Sequence, residues 1–113
     1  MSIDDLLNKI DIPEISEAQL SIMHFVISEA PIMVRMKPDA ARDTPEMFKN
    51  YTKTSEDVDK LVALGLLEDV TDKNRALVES ASLNNDGRLF SVFVPTKIGR
   101  LLFLDYLRRA TLN

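Results

Sequence analysis

Few residues in this sequence have the type and spacing that catalysis needs. The single histidine, His24, lies in an apolar stretch, and no serine or carboxylate stands in a context that pairs with it. We therefore expect a half-buried structural histidine there. The chain has no cysteine, which excludes thiolate nucleophiles, disulfides and cysteine-based zinc sites, and its three glycines form no phosphate-binding loop. These features predict a protein that is not an enzyme and that needs no metal or cofactor.

The side chains best suited to recognition are basic and polar groups in two places. Residues 84–87, Asn-Asn-Asp-Gly, form a strong turn signal, and Arg88 follows directly. Lys53, Thr54 and Ser55 stand at the predicted start of a helix, where free backbone amides favour an anion. Both places could bind the phosphates of a nucleic acid. The plainer interpretation is a solvated turn with a local ion pair, and a helix cap beside a surface lysine.

The length and composition predict one globular domain. A chain of 113 residues can bury a single core, and 45% apolar with 28% charged residues is ordinary for a folded domain. The chain begins without the basic segment of a signal peptide, and no apolar run approaches the roughly 20 residues of a membrane span. We therefore expect a soluble cytoplasmic protein that makes no membrane contact.

Capping residues mark the predicted helix ends. Ser16 and Gln19 have the spacing of a capping box at the start of the first long helix. Thr44, followed by a proline, and Thr96 have the residue types that begin helices. Gly65 is a candidate for the left-handed residue that follows a helix, because glycine adopts that conformation without steric cost.

The middle of the chain has the pattern of two short helices followed by a hairpin. We predict helices over 45–51 and 55–64, separated by three residues, which is the spacing of a helix-turn-helix. The segments 76–83 and 89–94 are predicted to pair as strands on either side of the turn at 84–87. A helix-turn-helix followed by a β-hairpin is the element order of a winged helix.

Three short motifs stand at the joints of these elements. A leucine-rich helix ends in Gly65-Leu66-Leu67, Thr96-x-x-Gly99 opens the final helix, and Asp86-x-Arg88 lies at the hairpin tip. In order and spacing these motifs resemble those of winged-helix transcriptional regulators, distantly the MarR family. The resemblance covers roughly residues 16–107.

The predicted elements and the resemblance together give an α+β, mostly α fold. It is a winged helix-turn-helix with a three-helix core, a β-hairpin wing and a C-terminal helix. A single domain spans 1–113, with an N-terminal arm at 1–14, the winged-helix core at 16–94 and the C-terminal helix at 96–111.

The resemblance implies a protein that binds double-stranded DNA and regulates transcription in a bacterium, an archaeon or a phage. In that family the second helix of the pair enters the major groove and a wing arginine reaches the minor groove. Arg88 matches the wing arginine, with Asp86 as its orienting partner. The residues implied to contact DNA are Lys53, Thr54, Ser55, Lys60, Asn84, Asn85 and Arg88.

The last helix carries more apolar surface than one core-facing stripe needs. The N-terminal arm has apolar residues of its own, and an exposed apolar patch is usually a contact site. We predict a homodimer formed by the two terminal segments; the alternative is that the arm folds back over the helix of its own chain. The predicted dimer contacts are Leu6, Leu7, Phe103, Tyr106, Leu107 and Ala110.

The charge of the chain favours a second hypothesis. The formal net charge is −4 and the pI is near 4.9. The outer face of the predicted recognition helix carries Glu56, Asp57 and Asp59, and three carboxylates there would repel phosphates. The alternative function is therefore a winged-helix protein–protein interaction module, which binds another protein and no DNA.

Overall fold

The computed structural model describes residues 15–28 and 32–112, with side chains as far as residue 108. The architecture is α+β and mostly helical, as predicted. The helices are α1 (Glu17–Ser28), α2 (Pro45–Ala63), α3 (Arg75–Leu83) and α4 (Lys97–Leu112), with a short 3-10 helix at Asp72–Asn74. The strands are β1 (Met33–Met36), β2 (Leu67–Asp69) and β3 (Phe90–Pro95).

The strands form one antiparallel sheet in the order β1-β3-β2. Both edges of β3 are paired: Val34 lies opposite Val92 on one side, and Glu68 lies opposite Val94 on the other. The residues from Phe90 to Phe93 are all buried. This continuous burial is typical of a strand covered on both faces, which explains why β3 takes the central position.

The core forms where α1, α2 and α4 pack with the sheet. Each large apolar side chain removed from water here contributes roughly 1.5–3 kcal/mol. The buried cluster consists of Met23, Val26, Val58, Leu61, Leu66, Leu67, Phe93, Leu102 and Phe103.

The predicted caps at the first two helix starts are confirmed. The Ser16 hydroxyl accepts the Gln19 backbone N–H at 3.2 Å, and the Gln19 side-chain oxygen accepts the Ser16 N–H at 3.0 Å. This reciprocal pair is the predicted capping box. At the start of α2 the Thr44 hydroxyl accepts the N–H of Met47 at 3.3 Å. Each cap satisfies amides that have no partner within the helix.

The predicted Gly65 and Thr96 signals meet at one joint. Gly65 follows α2 with φ +77°, as expected of a glycine after a helix. The Thr96 hydroxyl donates to the Gly65 carbonyl at 2.6 Å and accepts the N–H of Gly99 at 3.0 Å, so it also caps α4. The Thr96 N–H donates to the Leu66 carbonyl at 3.0 Å. The start of α4 is therefore fixed directly against the end of α2.

The predicted division of 45–64 into two helices is wrong, because α2 continues unbroken through residues 52–54. Thr54 and Ser55 have the residue types of an N-cap, but the helix already begins at Pro45, with Thr44 as its N-cap. No glycine or proline interrupts residues 46–63. The Lys53–Asp57 ion pair, at 3.3 Å, spans the predicted junction at helical spacing. The Lys53–Asp57 pair and the burial of the second half of α2 outweigh the weak local preference of Thr54 and Ser55 for a capping position.

The predicted hairpin of 76–83 with 89–94 is wrong in its first strand. Residues 75–83 form α3, and β3 pairs with β1 and β2. The alternation of polar and apolar residues in 76–83 is compatible with a strand, but its alanine, leucine and glutamate residues favour a helix. Residues 71–89 therefore form an insertion between β2 and β3 that contains α3, and we call it the β2–β3 insert.

Candidate functional site

A row of lysines follows the outer face of α2. Lys49, Lys53 and Lys60 are exposed, and spacings of four and seven residues place them on one side of the helix. Glu56 lies in the same row, between Lys53 and Lys60. The row extends over about 16 Å at the helical rise per residue. We call these four residues the α2 lysine row.

The two neighbouring carboxylates, Asp57 and Asp59, are each bound to a cation, and for Asp57 that cation is Lys53 of the row itself. Asp57 is buried, and its Oδ1 accepts from the Gln19 amide at 3.4 Å and from the Lys53 ammonium at 3.3 Å. Asp59 accepts from the Arg35 guanidinium at 3.2 Å. Of the three carboxylates predicted to make this face acidic, Glu56 is therefore the one that lies in the lysine row.

Lys53, Thr54 and Ser55 lie in the interior of α2 rather than at its start. Their backbone amides belong to the continuous helix and bond to carbonyls one turn earlier. The predicted anion site at a helix N-terminus is therefore wrong for these residues. Thr54 and Ser55 are half-buried, while the Lys53 and Lys60 side chains keep the exposure that a DNA contact requires.

Arg88 is bound inside the domain. Its two terminal nitrogens meet the two oxygens of Asp43 at 2.6 and 3.0 Å, and one of them also donates to the Lys37 carbonyl at 3.2 Å. The guanidinium lies 5.4 Å from the ring centre of Tyr51. The side chain is 12% exposed, and that of Asp43 is fully covered. The prediction that Asp86 orients Arg88 is wrong, because Asp43 is its carboxylate partner.

Two aspartates have lowered pKa values for identifiable reasons. The Arg88 hydrogen bonds hold the pKa of Asp43 below the usual 3.8; burial opposes this effect, and the Asp39 N–H supports it. The Thr71 hydroxyl, at 2.6 Å, and its backbone N–H, at 2.9 Å, lower the pKa of Asp69. In both cases the charged form is the one that the fold stabilises.

We expect these carboxylates to make the fold acid-sensitive. Their folded pKa values lie below their unfolded ones, so the stability they contribute is fully present above about pH 5 and is lost as the pH falls through the folded values. Urea unfolding from pH 7 to pH 3 measures this loss. Replacing Asp43 with Asn should flatten the pH dependence below about pH 5. An unchanged pH profile in that variant would contradict this assignment.

The turn of the β2–β3 insert presents fewer free groups than the sequence predicts. The Asn85 amide donates to the Ala81 carbonyl at 2.7 Å and so closes the end of α3. Asn84 is exposed next to it. The exposed cations of the insert are Lys73, with a side chain that is 76% exposed, and Arg75. Both lie at the start of α3, away from the predicted tip.

The predicted dimer residues of α4 divide between core and surface. Phe103 is buried, and its ring stacks on His24 with centroids 5.6 Å apart; His24 itself is exposed, not half-buried as predicted. Tyr106 is half-buried, while Leu104 and Leu107 are about half exposed. Three predicted contacts lie outside the described side chains, namely Leu6, Leu7 and Ala110.

Sequence reasoning missed three cations of this surface. Lys49 has an acid, Glu46, three residues before it, and Lys73 and Arg75 lie just before the strand predicted over 76–83, where no site was predicted. The signal for Lys49 was its helical spacing from Lys53 and Lys60, which becomes visible once 45–63 is treated as one helix.

Within the described residues there is no group of three or more histidine, aspartate or glutamate side chains placed to hold a metal ion. No helix in the described part of the chain has the length and apolarity needed to cross a membrane.

Comparisons with protein-family models, curated proteins and solved structures find no match to this chain.

Proposed function

We propose that this chain is a winged-helix protein that binds double-stranded DNA through the outer face of α2 and acts in transcription regulation. The order of elements supports the fold proposal: a helix, a strand, the long α2, a second strand, an insertion and a third strand. The third strand lies between the other two and is antiparallel to both. In a winged helix the β2–β3 insert is the wing, and α2 is the recognition helix. Since fold alone does not give function, the binding proposal rests on side chains.

The observation that carries the proposal is the α2 lysine row. Three ammonium groups stand on one exposed helix face, and the one carboxylate among them, Glu56, leaves that row with a net charge of +2. A helix fits the major groove, which is roughly 12 Å wide, and lysines beside it neutralise phosphates. The inward position of Asp57 and the pairing of Asp59 with Arg35 remove most of the repulsion that favoured the protein-binding alternative.

The insert adds a second basic position. Lys73 and Arg75 are exposed where the insert leaves the sheet, and Lys73 has a distant ion-pair partner, with its Nζ 3.8 Å from Glu68. An exposed pair of this kind is weak and yields readily to a phosphate. In this proposal Lys73 and Arg75 make the wing contact with DNA that the sequence analysis assigned to Arg88.

A homodimer remains part of the proposal. Leu104 and Leu107 are about half exposed on α4, and Phe25 is 51% exposed on the adjacent α1. Apolar side chains of this size on two packed helices support a contact between copies. Two-fold symmetry would then present two α2 helices to neighbouring half-sites.

The test is a fluorescence anisotropy titration of a labelled duplex between 50 and 200 mM salt. Because each phosphate contact adds about 0.9 to the slope of log affinity against log salt, the Lys49→Ala/Lys53→Ala/Lys60→Ala variant should reduce that slope by about 3 and affinity on the order of 100-fold. Equal binding by this variant, or no binding by the wild type at 50 mM salt, would contradict the proposal.

The matched control is Lys97→Ala/Arg100→Ala, which removes exposed cations from α4 and should change binding little. Sedimentation of the same mixtures measures the stoichiometry. Two chains per duplex support the homodimer, and one chain per duplex overturns that part of the proposal.

A further inference from the structure

The β2–β3 insert is held to the domain without any buried side chain. From Thr71 to Leu89, all of which the structure describes, every side chain is exposed or half-buried. α3 approaches β3 through half-buried Val78, Ala81 and Ser82. A groove of about 450 Å³ remains between α3 and the segment that leads into β3, and Leu83 on its wall is 82% exposed. Hydrophobic burial therefore contributes little to keeping the insert closed.

Polar contacts hold the two ends of the insert. At its start the Thr71 hydroxyl accepts the backbone N–H of Val92 at 3.0 Å. At its end Arg88 reaches the 37–44 loop through its ion pair with Asp43.

The 37–44 loop makes the reciprocal contact, because Arg42 from that loop donates to the Asp86 carbonyl at 2.7 Å. Two arginines thus cross in opposite directions between the loop and the turn. We call these two contacts the arginine clasp.

We propose that residues 72–88 of the insert open as a unit while the core stays folded, and that the arginine clasp sets how rarely they open. The hinge positions follow from the contacts. Thr71 is tied to the central strand, and Leu89 accepts the Lys37 N–H at 3.0 Å. The strand pairing of β3 with β1 and β2 does not involve residues 72–88, so the sheet can survive the opening. If the proposed DNA contact at Lys73 and Arg75 is right, this opening controls whether those cations are in place.

Amide hydrogen exchange of the protein alone tests this inference, and it does not depend on DNA binding. We expect amides of α3 to exchange at least tenfold faster than those of Val92 and Phe93. Asp43→Asn should raise exchange across 75–88 severalfold, and the core amides, which also lose the stability that Asp43 gives the whole fold, should remain at least tenfold slower than those of α3. Arg42→Ala, which leaves the Asp43–Arg88 pair intact, should raise exchange in the same segment to a smaller extent. Lys73→Ala is the control, since its ion pair is exposed and long.

Two results would overturn the inference. One is exchange of α3 at the same rate as the core in the wild type, which would mean that the insert opens only by global unfolding. The other is an unchanged exchange rate at α3 in both clasp variants while exchange at Val92 and Phe93 rises, since that pattern would mean that α3 opens without breaking the clasp. Should Asp43→Asn fail to fold, Arg88→Lys keeps the charge but loses the two-pronged contact, and the same comparison applies.

Discussion

Replacing Gly99 with valine should lower the free energy of unfolding by about 3 kcal/mol, because the new side chain has no space. A Cβ at this position would overlap the Leu66 carbonyl oxygen and would lie 3.0 Å from both the Leu66 carbonyl carbon and Met23 Cε. The neighbour that would have to move is backbone, and it is held by the Thr96 amide and hydroxyl. Relief of the overlap therefore requires α4 to separate from the end of α2.

Urea unfolding measures this change, and Gly65→Ala is the matched control. Gly65 has φ +77° and nothing within 4 Å of a Cβ, so the control should cost about 1 kcal/mol from backbone conformation alone. Similar losses in the two variants would mean that close packing at Gly99 is not what fixes α4.

Phe93→Ala should reduce stability by about 3–5 kcal/mol. Phe93 is 1% exposed and lies on the central strand, so truncation leaves a cavity in the middle of the core. The ring also lies 4.7 Å below the Arg35 guanidinium, which in turn donates to the Ser55 carbonyl of α2. Loss of the ring therefore weakens both the core and the contact of β1 with α2.

The same substitution at an exposed ring provides the control for Phe93. Phe25 is 51% exposed, and Phe25→Ala should change stability by no more than about 0.5 kcal/mol at a protein concentration where the chain is monomeric. Thermal unfolding of both variants measures the difference. A loss at Phe93 below about 1 kcal/mol would show that β3 is not the centre of the core.

Short-range signals in the sequence predicted the helix ends well. The capping box at Ser16, the Thr44 and Thr96 caps and the left-handed Gly65 depend on residues within three or four positions of one another. Such contacts are determined by local chemistry, so a sequence is enough to predict them.

The two wrong predictions about secondary structure, namely the division of 45–64 into two helices and the strand over 76–83, arose where distant residues decide the local structure. Residues 52–55 have cap-forming types, but Asp57 bonds to Gln19 on α1 and Arg35 on β1 bonds to Ser55, which stabilises one long helix. Residues 76–83 alternate like a strand, but β3 already has β1 and β2 at its edges. No local pattern contains either fact.

The candidate site shows the same division. Exposure of Lys53 and Lys60 follows from helical periodicity, and the sequence predicted it. The burial of Arg88 does not follow from any local pattern, since its partner Asp43 lies 45 residues away along the chain. The two residues come near each other only because Lys37 pairs with Leu89 beside the sheet. As an arginine in a turn, Arg88 had the residue type of a DNA contact. Its ion pair with Asp43 instead makes it a structural link between the insert and the 37–44 loop.

The most direct measurement is a map of the DNA contact on the protein. Amide resonances of the ¹⁵N-labelled chain should be followed during titration with a duplex at low salt. The account predicts that the largest shifts fall along the outer face of α2, at Lys49, Lys53, Glu56 and Lys60, with a second group at Lys73 and Arg75. Shifts confined to α1 and α4, or a spectrum that does not change at a saturating duplex concentration, would contradict it.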